Sequence, residues 1–172
     1  REDSWELYRR GLPNAVIGDN IEATDLDGDG NLDIVIANGG GQPDAVAVDD
    51  IGSFLAIAVE NDDKQANGWV VFYDTDGNPL HYVTAGALPD AVAFTPNGQY
   101  TLVANEGEPN GDYSIDPEGS ITVIDLRRGV YNARTATAGF GAFTSLPAEV
   151  RLPGPRGASI AQDLEPEYIA VS

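Results

Sequence analysis

The chain has 172 residues, of which 28 are Asp or Glu and 9 are Lys or Arg, so its formal net charge is −19. It contains no Cys, which excludes disulfide bonds, thiolate metal sites and cysteine nucleophiles. The charge has the wrong sign for a nucleic-acid-binding face, and the longest apolar run, 54–59, is too short to span a membrane. We therefore expect no nucleic-acid partner and no membrane-spanning segment.

The first motif in chain order is an acidic loop at 25–33, with the sequence Asp-Leu-Asp-Gly-Asp-Gly-Asn-Leu-Asp. Carboxylates at alternate positions of a short loop can converge on one hard cation, and Gly30 permits the sharp turn. An EF-hand would need a bidentate Glu where the sequence has Ile36, and no helical pattern flanks the loop. We therefore predict a calcium-binding hairpin that leads into a strand at 34–38. The predicted ligands are Asp25, Asp27, Asp29, Asn31 and Asp33.

An internal repeat follows this motif. The sequence Pro-Asp-Ala-Val-Ala-Val at 43–48 recurs as Pro-Asp-Ala-Val-Ala-Phe at 89–94, an offset of 46 residues. At the same offset Glu60 matches Glu106. The alternating apolar residues and the Asn-Gly turn at 97–98 indicate a strand, a tight turn and a second strand in each unit.

Further strand patterns occur at 69–74 and 80–84 in the first unit and at 120–125 in the second. Four short strands in about 46 residues are typical of a propeller blade. The sequence thus predicts an all-β fold, a partial β-propeller of four-stranded blades. The segment at about 130–163 is rich in Gly, Ala, Thr and Pro and is predicted to be a long loop over the blades. Residues 166–172 repeat the start of a unit and predict the first strand of a third blade.

The pattern divides the chain into an N-terminal segment at 1–40, which carries the calcium hairpin, and propeller blades at 41–172. Only residues 39–42 separate the strand at 34–38 from the next first strand, so two outer strands are missing there. Either this blade is abbreviated or the sequence joins segments that are not contiguous in the native chain near Gly40. Because blade edges would be left unpaired, we expect further blades, from the same protein or from other chains, to complete the ring.

Four stretches carry a resemblance to a known family. They are Leu-Pro-Asp-Ala-Val-Ala-Phe-Thr-Pro-Asn-Gly at 88–98, Val-Ala-Asn-Glu-Gly-Glu-Pro at 103–109, Asp-Pro-Glu-Gly-Ser at 116–120, and Ala-Gln-Asp-Leu-Glu-Pro-Glu-Tyr-Ile-Ala-Val-Ser at 161–172. From about Gly40 to Ser172 the sequence resembles the choice-of-anchor I family of secreted bacterial β-propeller proteins. The loop at 25–33 instead resembles the calcium loop of FG-GAP/VCBS propeller repeats.

The family resemblance implies a seven-bladed, YncE-like propeller. It also implies a secreted, extracellular or periplasmic protein, often placed on the cell surface. Some members carry an alkaline-phosphatase label, but the resemblance supplies no catalytic residues.

A second acidic region leads to a further hypothesis. Glu106 and Glu108 lie in the loop after the second strand of the second unit, and the succession of blades would bring Glu165 or Glu167 close to Glu106. A second cation site would result, whereas the alternative is a pair of solvated acidic turns. The candidate residues are Glu106, Glu108, Asp112, Asp163, Glu165 and Glu167.

Known catalytic templates find little support in the sequence. His81 is the only histidine, it falls in a strand pattern, and no Gly-x-Ser-x-Gly motif occurs. The first hypothesis is therefore an exported calcium-binding propeller segment that acts as a binding or structural module. The alternative is a metal-dependent phosphoesterase with its site at the acidic loops. The two differ because a structural ion changes stability, whereas a catalytic ion changes turnover.

Overall fold

The structure is a computed structural model that describes residues 21–24, 33–36, 42–48, 54–74, 78–150 and 157–172. These residues are almost entirely β-structure. The strands are β1 (Ile21–Thr24), β2 (Asp33–Ile36), β3 (Gln42–Val48), β4 (Phe54–Glu60), β5 (Asn67–Asp74), β6 (Pro79–Ala87), β7 (Pro89–Phe94), β8 (Tyr100–Asn105), β9 (Ser120–Asp125) and β10 (Arg134–Gly139). A 3₁₀ helix covers Val130–Asn132 and a single helical turn, α1, covers Ile160–Asp163.

Two four-stranded antiparallel sheets form the body of the described structure. The first sheet has the order β3-β4-β5-β6, and the second sheet has the order β10-β9-β8-β7. Each sheet is a meander in which neighbours in sequence are neighbours in space, and the two sheets are not joined into a closed barrel. The prediction of two consecutive four-stranded units is confirmed at this level.

The repeat in the sequence is a repeat in the structure. In the first sheet the register between β3 and β4 shifts between Pro43 and Ala45. In the second sheet the register between β7 and β8 shifts between Pro89 and Ala91. Proline cannot donate to the ladder and is accommodated at bulges, so the repeated Pro-Asp sequence produces the same irregularity in both first strands.

The core lies between the two sheets. Burial alternates along most of β4 and β5, because side chains alternate between the faces of a strand. Phe72 and Val70 from the first sheet pack in one cluster with Val103 and Ile124 from the second. Phe54 adds an edge-on ring contact to Phe72 at a centroid distance of 6.2 Å.

A very short link joins the sheets. Only Leu88 separates the outer strand β6 from the first strand β7 of the next sheet. Leu88 is buried and has a φ of 50°, in the left-handed region that non-glycine residues rarely adopt. Because the link is so short, β7 lies against β3 and β4, and the two sheets must stack face to face.

The structure corrects the predicted loop at about 130–163. This segment contains β10, which pairs with β9 over all of its six residues, and it also contains α1. The Thr-Ala alternation of β10 has the strand period but no large apolar residue, because the strand lies at the exposed edge of the sheet. The predicted strand at 166–172 is absent, because no described strand pairs with it and a strand needs a ladder partner.

At the N-terminal end β1 pairs antiparallel with β2, and Thr24 is opposite Asp33. The calcium-loop residues 25–32 lie outside the described residues, as does the side chain of Asp33. The division of the chain at residue 40 stays a prediction. No helix of the described ranges is long and apolar enough to cross a membrane.

Candidate functional site

The acidic loop, residues 106–119, connects β8 to β9 and begins at a fixed position. The Glu106 N–H donates to the Leu88 carbonyl at 2.8 Å. The Gly107 N–H donates to the Ala87 carbonyl at 3.2 Å. Gly107 has a φ of 73°, and an added Cβ would lie 2.9 Å from the backbone at the far end of the loop, so a side chain is excluded there. The start of the loop is therefore held on the link between the two sheets.

The tip of this loop is organised by its own side chains. The Asp112 carboxylate accepts the Ser114 N–H at 3.0 Å and the Ser114 hydroxyl at 2.6 Å. The Asn110 side-chain amide donates to Ser114 Oγ at 2.9 Å. The hydrogen bonds from Ser114 lower the pKa of Asp112. The Asp112 carboxylate thus stabilises the turn and is not among the charges that act on Glu106.

The segment around α1 docks on the end of the acidic loop. Ser159 caps α1, and the side chains of Ser159 and Gln162 form a reciprocal capping box. The Gln162 side-chain amide donates to the Asp116 carbonyl at 3.0 Å. The Gly119 N–H donates to the Ala161 carbonyl at 2.9 Å. These contacts bring the acidic residues that follow α1 to the loop.

Glu106 is the most perturbed carboxyl group of this region. Burial, together with the smaller effects of the carboxylates of Asp90, Glu108, Glu165 and Glu167, raises its pKa from 4.5 to about 7. The structure therefore places Glu106 within electrostatic reach of Glu165 and Glu167, residues that lie about sixty positions later in the chain.

Two further carboxyl groups share this environment. Burial raises the pKa of Glu165, and Glu108, Asp163, Asp116 and Glu167 add to the effect. Burial also raises the pKa of Asp90, with a contribution from Glu167. We use the name acidic cluster for all the carboxylates that take part in these interactions. They are Asp90, Glu106, Glu108, Asp116, Asp163, Glu165 and Glu167.

The repeat counterpart of Glu106 shows a different arrangement. Glu60, at the end of β4, is almost fully buried, and its Oε2 lies 3.6 Å from the Lys64 Nζ. Among the described residues, the charged groups that act on Glu106 are all acidic. The described structure thus gives Glu60 a basic partner in the first sheet and gives its counterpart Glu106 acidic neighbours in the second.

An open cavity of about 170 Å³ lies between the loop and the α1 segment. Asp116 Oδ1 is buried there and has no hydrogen-bond partner in the part of the chain that the structure describes. In the described part of the chain, no three acidic or histidine side chains are grouped so that they could hold a metal ion. The cavity is lined by Glu108, Pro109, Tyr113, Asp116, Gln162, Asp163 and Glu165.

Sequence reasoning missed two members of the cluster, Asp90 and Asp116. Asp90 belongs to the repeated Pro-Asp sequence, and its position at a bulge beside the loop is a result of strand pairing. Asp116 lies in the acidic loop, and only the docking of α1 distinguishes it from its neighbours. His81 lies in β6, as expected, with its ring beside those of Tyr82 and Tyr131.

The described fold and site define an all-β protein of stacked four-stranded sheets with an acidic face. A family model described as the choice-of-anchor I domain matches residues 16–172. The chain therefore belongs to the choice-of-anchor I domain family. The match begins before the predicted calcium loop, so that loop lies within the family region. Membership suggests an extracellular or cell-surface location.

Comparison with solved structures gives more distant likenesses. Hydrazine synthase of Kuenenia stuttgartiensis is 18% identical with a TM-score of 0.44, over 64% of this chain and 33% of that one. A eukaryotic initiation factor is 16% identical with a TM-score of 0.40, over 65% of this chain and 28% of that one. The chain spans about a third or less of the length of these proteins. No curated protein matches the chain.

Proposed function

We propose that the chain is an exported, calcium-binding segment of a β-propeller that serves as a binding or structural module outside the cell or at its surface. Family membership supports the location, and two consecutive four-stranded meanders with adjacent first strands support the blade architecture. Further blades, from the same protein or from other chains, would complete a ring of seven. The phosphoesterase alternative has no supporting observation among the described residues.

The observation that carries the calcium proposal is the antiparallel pairing of β1 with β2. The register sets Thr24 opposite Asp33, so the acidic sequence between the two strands connects the arms of a hairpin. A hairpin brings both ends of its connection together, and alternating carboxylates along such a connection supply the oxygen ligands that calcium prefers. Asp25, Asp27, Asp29, Asn31 and Asp33 would hold the ion. Calcium would supply the positive charge that offsets their mutual repulsion.

The acidic cluster supports a second and weaker cation position. The carboxylates there raise the proton affinity of Glu106 and Glu165, so the region binds positive charge more readily than separate carboxylates would. Glu108, Asp116, Asp163 and Glu165 line the cavity, and a cation would have to draw them together, because no three acidic side chains of the described residues are grouped for a metal. Asp116 Oδ1 has no donor in the described structure, and a cation or water would satisfy it.

Calorimetric titration of the chelator-treated protein with calcium chloride tests the proposal. We expect saturable binding and a rise in stability of about 2.7 kcal/mol when free calcium is a hundred times the dissociation constant. The Asp27→Asn and Asp29→Asn variants should lose the tight site. Asp62→Asn is the matched control, because Asp62 is an exposed acid outside both regions.

Different outcomes separate the two positions. If the Asp27→Asn variant keeps full affinity, calcium does not bind the hairpin. If Glu108→Gln and Glu165→Gln remove a second, weaker transition while the tight one is unchanged, the cavity holds its own ion. The absence of any heat of calcium binding, together with an unchanged melting temperature when calcium is added, would contradict the proposal.

A further inference from the structure

Strand β10 forms an open edge of the second sheet. It pairs with β9 on one side, and no other described strand pairs with its outer side. All six of its residues are exposed. On the outer side of an antiparallel edge strand, alternate residues direct their N–H and C=O groups away from the sheet, and these groups can pair with another strand.

This edge lacks most of the features by which proteins protect their edges, and its one charged residue is Arg134. The two described four-stranded sheets have the edge strands β3, β6, β7 and β10, and the pairing of the first three is broken by register shifts. The pairing of β10 with β9 is unbroken over six residue pairs. Its sequence, Arg-Thr-Ala-Thr-Ala-Gly, contains no proline, lysine or acidic residue. Of these four edges, β10 is therefore the one best suited to accept a strand.

The charge around β10 is opposite to that of the whole chain. Between Glu118 and Glu149 the sequence has three arginines and one carboxylate, Asp125. The Asp125 carboxylate is bound by Arg127, through Nε at 2.9 Å and Nη2 at 2.7 Å. The remaining two arginines, Arg128 and Arg134, are exposed and form no ion pair within the described ranges. Their charges favour an acidic strand over a basic one.

An aromatic side chain stands close to the start of this edge. Tyr131, in the 3₁₀ helix before β10, is 66% exposed, and its ring lies 6.5 Å from that of His81. Tyrosine and arginine are the residue types that most often provide the energetic anchors of an interface. The open edge, two exposed arginines and an exposed tyrosine thus lie along one hairpin.

We propose that β10 is a docking edge that adds an extended, acidic peptide segment of another protein as a fifth strand of the second sheet. Main-chain hydrogen bonds to the outer side of β10 would supply the pairing, and Arg128 and Arg134 would select for acidic side chains. The proposal does not depend on calcium.

A synthetic probe tests the proposal directly. The probe is a fluorescein-labelled decapeptide of alternating threonine and glutamate, and the readout is fluorescence anisotropy with the full chain in chelator. We expect saturable binding, at least about tenfold weaker for a peptide with lysine in place of glutamate. Hydrogen–deuterium exchange should show protection of the β10 amides when the peptide is bound.

Proline substitutions identify the edge. In an antiparallel ladder adjacent residues alternate in direction, so one of Ala136→Pro and Thr137→Pro removes an N–H that faces outward. The variant that keeps the wild-type melting temperature should bind the peptide at least about tenfold more weakly. Ala138→Glu, which leaves the backbone intact, should weaken binding in the same way. Thr84→Glu, on the exposed edge strand β6, is the matched control and should have no effect.

Variants of Arg134 and a measurement of self-association complete the test. Arg134→Gln should weaken binding by about fivefold, and Arg134→Lys should restore it. Equal binding of the lysine peptide would overturn the proposal, as would wild-type binding by Ala138→Glu. If light scattering shows dimers that Ala138→Glu abolishes, and the peptide does not bind, the edge is an interface between copies and the proposal is wrong.

Discussion

The side chain of Asn105 in the second sheet is hydrogen-bonded to the backbone of Gly86 in the first. The Gly86 N–H donates to Asn105 Oδ1 at 2.9 Å. The Asn105 amide nitrogen donates in turn to Thr122 Oγ1 at 2.9 Å and to Ser120 Oγ at 3.1 Å. Asn105 is fully buried, and a Cβ on Gly86 would lie 2.7 Å from its amide carbon. This one side chain thus satisfies groups on two strands, β6 and β9, and Asn105 immediately precedes Glu106 at the start of the acidic loop.

Replacement of Asn105 by Ala should destabilise the protein strongly. The Gly86 N–H and the Thr122 hydroxyl would lose their buried partner, and each unsatisfied group costs about 1–3 kcal/mol. We expect the free energy of unfolding, measured by urea denaturation, to fall by about 2–4 kcal/mol. Asn132→Ala removes an exposed amide that bonds to the Arg128 carbonyl, and it should change stability by less than about 0.5 kcal/mol. Equal effects of the two variants would contradict this role.

Replacement by valine should change the stability of the protein in opposite directions at two buried threonines of the second sheet. Thr101 is fully buried, and its Oγ1 has no hydrogen-bond partner among the described residues. Thr101→Val removes an unsatisfied hydroxyl, so we expect the protein to become about 1 kcal/mol more stable. Thr122→Val removes the acceptor of the Asn105 amide and should cost about 1–2 kcal/mol. Thermal denaturation of both variants checks the sign, and destabilisation by Thr101→Val would show that its hydroxyl is bonded.

Gly119 controls the docking of the α1 segment. A Cβ at this position would overlap the Leu164 carbonyl oxygen, and the Gly119 N–H donates to the Ala161 carbonyl. Gly119→Ala should therefore displace the chain after α1 and raise its cleavage by protease several-fold, as followed by mass spectrometry. Gly111→Ala is the control in the same loop, because a Cβ there meets nothing within 4 Å. Equal cleavage of the two variants would show that the segment does not depend on this close approach.

The strands that the sequence predicted correctly share one property. Their hydrophobic pattern matches their burial in the folded protein. In β4 and β7 runs of apolar residues supply the buried positions of a sheet, so hydrophobicity was sufficient to find these strands. In β10 the Thr-Ala alternation carries no large apolar group, because both faces are exposed, and the segment was predicted to be a loop. The strand predicted at 166–172 has the pattern but no partner in the described structure.

The candidate site was predicted in part for a similar reason. The repeat indicated that Glu106 and Glu165 belong to successive units, and the structure places them in mutual electrostatic contact. The sequence did not indicate a role for Asp90 or Asn105. Asp90 lies beside the loop because of the bulge in β7, and Asn105 forms a hydrogen bond between the two sheets. Such roles depend on three-dimensional contacts that carry no local sequence pattern.

The pKa of Glu106 predicts how stability depends on pH in the absence of calcium. Its value is 4.5 in the unfolded chain and about 7 in the folded protein, because burial and neighbouring carboxylates disfavour its charge. The folded state therefore binds more protons between these values, and stability should decrease as pH rises from 4.5 to 7. Glu106 is half-buried, so solvent screening reduces the effect to on the order of 1 kcal/mol.

Glu106→Gln tests this prediction, because glutamine keeps the shape of the side chain and cannot ionise. In chelator-containing buffer the urea midpoint of the wild type should fall between pH 5 and pH 7.5, and that of the variant should fall less. The variant should also be the more stable protein at pH 7.5. Asp112→Asn is the control, because the pKa of Asp112 is lowered and its loss should reduce stability at neutral pH. Parallel pH profiles for the wild type and Glu106→Gln would show that Glu106 titrates normally and that the acidic cluster does not share its charge.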